Sequence, residues 1–137
     1  MPHANIQYSQ LNPTQRAWVI KNSYEKLFDV VNDGDYKIAF EASGETIKVI
    51  ADECPEVLEQ LKGLIKDGKL EPVASPHTHI MLANIDPEIG LHTLKHGLET
   101  WEKYTGFRPE TGWNPECGWA SYVPEIFKEA GFRTLVM

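Results

Sequence analysis

The densest chemistry in this sequence lies in eight consecutive residues, Gly112-Trp113-Asn114-Pro115-Glu116-Cys117-Gly118-Trp119. A carboxylate stands between two tryptophans and directly after a proline, where a strand has to end. Sugar rings present apolar C–H faces and hydroxyl rims, so indoles and carboxylates together suit them. A carboxylate held at such a spot can attack an anomeric carbon, provided a second carboxyl group protonates the leaving oxygen. The same residues also fit a plainer arrangement, with Trp113 and Trp119 in the core and Glu116 as a solvated loop acid. His77-Thr78-His79 is a second cluster. Two histidines at i, i+2 on a loop can ligate one metal or hydrogen-bond sugar hydroxyls, and they equally suit a polar loop. A zinc site there would need His3 to come close in space. His92 and His96 share one helix at metal-compatible spacing, but that helix is amphipathic and reads as lying outside the sheet. Glu41 falls at a strand end, where the small Ala42, Ser43 and Gly44 leave room for a ligand.

These residues are carried by an alternation of short strands and helices. Asn12-Pro13 pairs a capping side chain with a ring suited to the first helical turn. Ala17, Ile20, Tyr24, Leu27, Phe28 and Val31 then recur at three- and four-residue steps and define one apolar face. Residues 32–35 end that helix, and residues 36–41 alternate as a strand. A helical region is expected from about Glu45 to Asp67, broken before Pro55 because a residue preceding proline is pushed out of the helical well. Leu70 to Ser75 is the next strand. Asp86-Pro87 repeats the cap-plus-proline start, Ile89, Leu91, Leu94, Leu98 and Trp101 mark the helix, and Gly106 stops it. Thr111 to Asn114 is a short strand, Ser121 begins a helix ended by Gly131, and Phe132 to Met137 is a final strand. Such alternation predicts a parallel sheet with right-handed crossovers, whose sites gather at the carboxyl ends of the strands. That rule selects His3 to Tyr8, Glu41 to Gly44, Ser75 to His79 and Trp113 to Trp119. A parallel sheet buries both faces, so a chain that stops on an uncovered strand reads as part of something longer.

Composition narrows the function classes. The 137 residues suit one domain with a core. A net charge of −7 leaves no basic footprint for nucleic acid or anionic lipid. No apolar run approaches the ~20 residues of a membrane helix, and the N-terminus has no signal-peptide pattern. Cys54 and Cys117 form no metal or redox spacing, so a reducing cytoplasm is the expected compartment.

Trp113 to Trp119 resembles the third signature region of glycoside hydrolase family 57, which comprises α-amylases, 4-α-glucanotransferases, amylopullulanases, branching enzymes and related α-galactosidases. The pattern there is an aromatic residue, two variable residues and the nucleophilic Glu, met by Trp113-Asn114-Pro115-Glu116. Ala17 to Phe28 is similar to the family's first helix, and Ser43-Gly44 to the segment after its second strand. Gly68-Lys69-Leu70-Glu71 and Ser75-Pro76-His77-Thr78-His79 resemble its second signature region. The first region departs from the pattern: where the family has His-x-His-Gln-Pro, this chain has His3-Ala4-Asn5-Ile6-Gln7, with Asn5 in the place of the second histidine.

The resemblance implies an α/β fold, an incomplete (β/α) barrel of seven strands in the family. About five strands and four helical regions of that one catalytic domain would fall within residues 1–137. It implies a retaining α-glucan hydrolase or transglycosidase with Glu116 as nucleophile. His3, His77, His79, Trp113 and Trp119 would bind substrate. The general acid, an Asp on a later strand, would lie beyond Met137 and about 5–5.5 Å from Glu116 in the complete site. No metal or cofactor is needed for that chemistry. Residues 1–137 alone are expected to be inactive, since losing the acid removes most of the rate, and exposed strand edges would favour self-association. Two alternatives stand beside this reading. A metal-dependent carbohydrate deacetylase would carry an Asp-Asp pair near the first strand and a His-x-x-x-His pair, and neither is in place. A non-catalytic carbohydrate-binding remnant would keep the aromatic residues without the acid.

Overall fold

The computed structural model describes residues 1–6 and 11–137. Five strands form one sheet in the order β1-β2-β3-β4-β5, and every pairing is parallel. They are β1 (His3–Ala4), β2 (Ile38–Ala42), β3 (Leu70–Ala74), β4 (Thr111–Trp113) and β5 (Thr134–Val136). Between them run α1 (Pro13–Val19), α2 (Glu25–Asp33), α3 (Gly44–Glu53), α4 (Pro55–Lys66), α5 (Pro87–Thr105) and α6 (Val123–Ala130). A sheet whose strands follow chain order is wound in one direction. With right-handed crossovers all its helices fall on one face, as in a barrel wall and unlike a doubly wound sheet. The expected five strands and four helical regions are therefore present, since α1 with α2, and α3 with α4, each occupy one crossover.

Local chemistry sets the boundaries. Asn12 and Gln15 form a reciprocal cap at the start of α1, with Pro13 in the first turn. A single wider turn, Ile20–Tyr24, joins α1 to α2 while burying both end residues. Ser43 caps α3 by accepting from the Thr46 N–H. Cys54 leaves the helical well (φ −143°, ψ 62°) and Pro55 opens α4. Asp86 caps α5, which ends at Gly106 in the left-handed conformation (φ 79°).

Register divides the strand residues between two faces. His3 lies opposite Glu41, Glu41 opposite Val73, and Val73 opposite Thr111. Ala4, Ala42, Ala74 and Gly112 form the alternate row. Opposed residues in a parallel pair share a face, so the small row meets the helices and the other row lines the concave side. On the helical side Phe40 packs edge-on against Phe28 and Tyr24. The fully buried Trp101 of α5 donates its indole N–H to the Ala42 carbonyl at 3.0 Å. A side chain at Gly112 would strike Phe127 at 2.7 Å. Each fully buried large apolar side chain contributes about 1.5–3 kcal/mol to stability, so this helical face holds the sheet. Among the described residues no helix is long and apolar enough to cross a membrane.

Candidate active site

The carboxyl ends of β1 to β4 bring one cluster together on the concave side. His79 Nε2 donates to Glu116 Oε1 at 3.0 Å. The His3 ring lies 4.2 Å from Trp113 and 5.3 Å from His79, centroid to centroid. His79 stacks on Trp113 at 5.6 Å with a 24° tilt. His3, His79, Trp113 and Glu116 thus share a site although 113 positions separate the first from the last. Beneath them, Glu41 is completely buried and paired through its Oε2 with His3 Nδ1. Asn5 Nδ2 donates to the same oxygen at 3.2 Å.

Glu116 owes its position to an uncommon backbone. Pro115–Cys117 forms a short 3-10 turn in which Glu116 (φ 58°) and Cys117 (φ 51°) both adopt left-handed geometry. For residues other than glycine this conformation costs about 1–2 kcal/mol each and is retained where surrounding contacts enforce it. Asn114 provides them. It is fully buried, its N–H donates to the Val136 carbonyl at 3.0 Å, and its Nδ2 donates to the Gly118 carbonyl at 2.7 Å, closing the turn from below. The result lifts the Glu116 carboxylate to the surface, with 59% of the side chain exposed.

Electrostatics separate the two carboxyls. The hydrogen bond from His79, followed by its charge, holds the Glu116 carboxyl below the usual carboxylate range, so it is ionised. Burial pushes Glu41 upward, opposed by the Ser75 hydroxyl and by His3.

Two residues expected at the site lie apart from this cluster. The His77 ring stacks on His96 of α5 at 3.9 Å and its Nδ1 meets Thr100 Oγ1 at 3.2 Å. It borders a groove of about 310 Å³ on the helical side, with Lys48, His96, Glu99, Thr100, Lys103 and Tyr104. Burial, with the nearby His96 and Lys48, lowers its pKa to about 4. Bends at His77 and Thr78 turn the two histidines of the pair in different directions. Trp119 is 67% exposed and makes no part of the core. Gln7 and Tyr8, within the first segment selected from sequence, lie outside the described residues. The convergence of His3, His77 and His79 that a zinc site requires does not occur. Among the described residues no three His, Cys, Asp or Glu side chains are arranged to hold a metal.

Sequence reasoning gave no role to Ser75 and Asn114, met Asn5 only as a departure from the family pattern, and gave little weight to Glu41. A signal for Glu41 existed. A parallel strand buried on both faces reads as a continuous apolar run, and a glutamate between Phe40 and Ala42 interrupts it.

Comparison with known proteins places this geometry. Glycosyl hydrolase family 57 matches residues 2–137. The chain belongs to that family. An α-amylase of Pyrococcus furiosus is 28% identical over 95 residues, covering 66% of this chain and 14% of the relative. The crystal structure of the 4-α-glucanotransferase of Thermococcus litoralis superposes with a TM-score of 0.87 at 24% identity, covering 97% of this chain and 21% of that one. The crystal structure of a putative polysaccharide deacetylase from Mycobacterium smegmatis shares the fold at a TM-score of 0.63 and 20% identity, over 79% of this chain and 35% of its own. The family 57 chain described here therefore spans a small part of the relatives it matches.

Proposed function

We propose that these residues form part of a single catalytic barrel domain that cleaves or transfers α-glucan chains with retention of configuration, Glu116 being the nucleophile. The observation that carries this reading is the Glu116 carboxylate itself: exposed at the end of β4, hydrogen-bonded to His79, and held ionised in a left-handed turn. Membership of family 57 and the likeness to an α-amylase and a 4-α-glucanotransferase support the substrate class. A Glu116 oxygen attacks C1 from the β face, forming a β-glycosyl ester as the C1–O bond to the departing sugar breaks. An acid outside these residues protonates that leaving oxygen. Water, deprotonated by the same acid group, then attacks C1 and restores the α configuration. Another sugar hydroxyl in place of water gives transfer. His3, His79 and Trp113 form the wall against which the sugar lies, and Trp119 offers an exposed indole face.

The test uses α-glucosyl fluoride, whose fluoride leaves with the bonding electron pair and needs no acid. The chain is expected to gain one glucosyl unit on the peptide carrying Glu116, and Glu116→Gln to gain none. With azide, Glu116→Ala is expected to yield β-glucosyl azide. Label on another residue, or equal labelling of Glu116→Gln, would refute the assignment. On unactivated glucans residues 1–137 alone are expected to show no turnover.

A further inference from the structure

The mechanism above makes no use of Glu41, the one completely buried carboxylate among the described residues. Its surroundings form a chain of donors and acceptors that admits one assignment. The Ser43 backbone N–H can only donate, and it meets Asn5 Oδ1 at 3.2 Å. The Asn5 amide is therefore oriented with Nδ2 toward Glu41 Oε2 at 3.2 Å and His3 Nε2 at 3.4 Å. A nitrogen facing an amide donor must accept, so the His3 ring proton sits on Nδ1, where Glu41 Oε2 receives it. The His3 ring so fixed packs on Trp113 and His79, and His79 holds Glu116. Ser43 also caps α3, and Thr46 of that helix accepts from the Ile6 N–H at 3.2 Å, so β1 and the chain after it are tied to the same frame.

An apolar side chain would serve stability there at least as well. Val73 occupies the neighbouring place in the same row, and buried ion pairs are often replaced by apolar residues without loss. We infer that Glu41 is a positioning residue whose buried carboxylate fixes His3 in one tautomer and orientation, and through the ring contacts among His3, Trp113 and His79 aims His79 at Glu116. This rests on the reading of Glu116 as nucleophile.

Two measurements on the 137-residue chain test it. Nitrogen-15 spectra of the histidines, at a pH where the rings are neutral, are expected to show His3 protonated on Nδ1, and the opposite tautomer would overturn the inference. Glu41→Gln keeps size and shape while removing the charge. Its maximal rate of labelling by α-glucosyl fluoride at Glu116 is expected to fall about 10- to 100-fold, with little change in the half-saturating concentration. Labelling of Glu41→Gln at the native rate would overturn the inference and leave the nucleophile assignment standing. Failure of the native chain to label at Glu116 would instead remove the nucleophile assignment. Should Glu41→Gln not fold, Asn5→Ala removes the donor to His3 Nε2. Mixed His3 tautomers and slower labelling are then expected, and an unchanged spectrum and rate would overturn the proposal.

Discussion

Gly97 lies on α5, far from Glu116 in sequence, yet its replacement by alanine should disturb the site. A β-carbon there would stand 2.8 Å from the Ser75 carbonyl oxygen, 3.0 Å from the His77 nitrogen and 3.3 Å from the Pro76 carbonyl carbon. Ordinary contact begins near 3.4 Å, so α5 and the loop must separate by about 0.6 Å. Backbone atoms cannot swing aside as a flexible side chain would. The bond from the His77 N–H to the Thr93 carbonyl, 2.9 Å in the native fold, would stretch to the edge of hydrogen-bonding range. Overpacking of this kind costs about 1–3 kcal/mol, offset by up to about 1 kcal/mol from alanine's helix propensity. A net loss of about 1–2 kcal/mol lowers the melting temperature by roughly 3–8 °C in a domain of this size. The displaced loop carries His79, so labelling of Glu116 should slow as well. Gly63 of α4 is the control, because nothing lies within 4 Å of a β-carbon there. Gly63→Ala should stabilise by up to about 1 kcal/mol through helix propensity alone. Denaturant titrations of both variants, with the labelling assay, decide the matter. A Gly97→Ala protein as stable and as reactive as the native chain would refute the close docking of α5 on the β3 loop.

Three further outcomes follow from the same geometry. His79→Ala removes the donor that keeps the Glu116 carboxyl below its ordinary range; the acid limb of the labelling rate should therefore move to higher pH, and an unmoved limb would show that His79 does not tune Glu116. His77 has its pKa lowered from 6.5 to about 4 in the folded state, so the unfolded chain binds more protons between these values. Stability should therefore rise with pH through that window, and His77→Gln should flatten the rise in denaturation experiments; a slope identical to that of the native chain would refute it. Trp101→Phe loses the indole donor to the Ala42 carbonyl and part of a fully buried ring. A loss of about 1–3 kcal/mol is expected by the same titration, and no loss would mean that the hydrogen bond contributes nothing.

The fold was legible wherever a side chain acts on its own backbone. Asn12-Pro13, Asp86-Pro87, Cys54-Pro55 and Gly106 fix helix ends through capping, ring geometry or a left-handed conformation, and these operate without knowledge of the rest of the chain. Strand ends depend on pairing, and they shifted. Tyr36 alternates correctly but is exposed outside β2, whose pairing begins at Ile38 opposite Leu70. Phe132, expected in the last strand, is instead buried against Phe127, leaving Thr134–Val136 to pair with β4. The wide turn Ile20–Tyr24 left no trace in the periodicity, because a four-residue spacing of buried positions suits both a normal helical turn and a wider one.

The site divides along the same line. Glu116 could be singled out because Trp113-Asn114-Pro115-Glu116 resembles the family's third signature region; by residue types alone a solvated loop acid suited the position better. Its left-handed backbone could not, since glycine and asparagine are the residues that announce that conformation and neither occupies position 116 or 117. What enforces it is Asn114, buried and bonded to a carbonyl four residues on and, through its backbone N–H, to β5. Asn5 was visible only as a departure from the family's second histidine. The amide does something an imidazole at that place cannot do in one state: it accepts from Ser43 through one atom while donating to Glu41 and His3 through another. A neutral imidazole has one donor and one acceptor, so with histidine at position 5 one of those three contacts would be lost. The asparagine and the buried Glu41 therefore belong to one arrangement, and a change at either should be felt at the other. A double-mutant cycle of Asn5→Ala and Glu41→Gln should accordingly show a non-additive effect on the labelling rate.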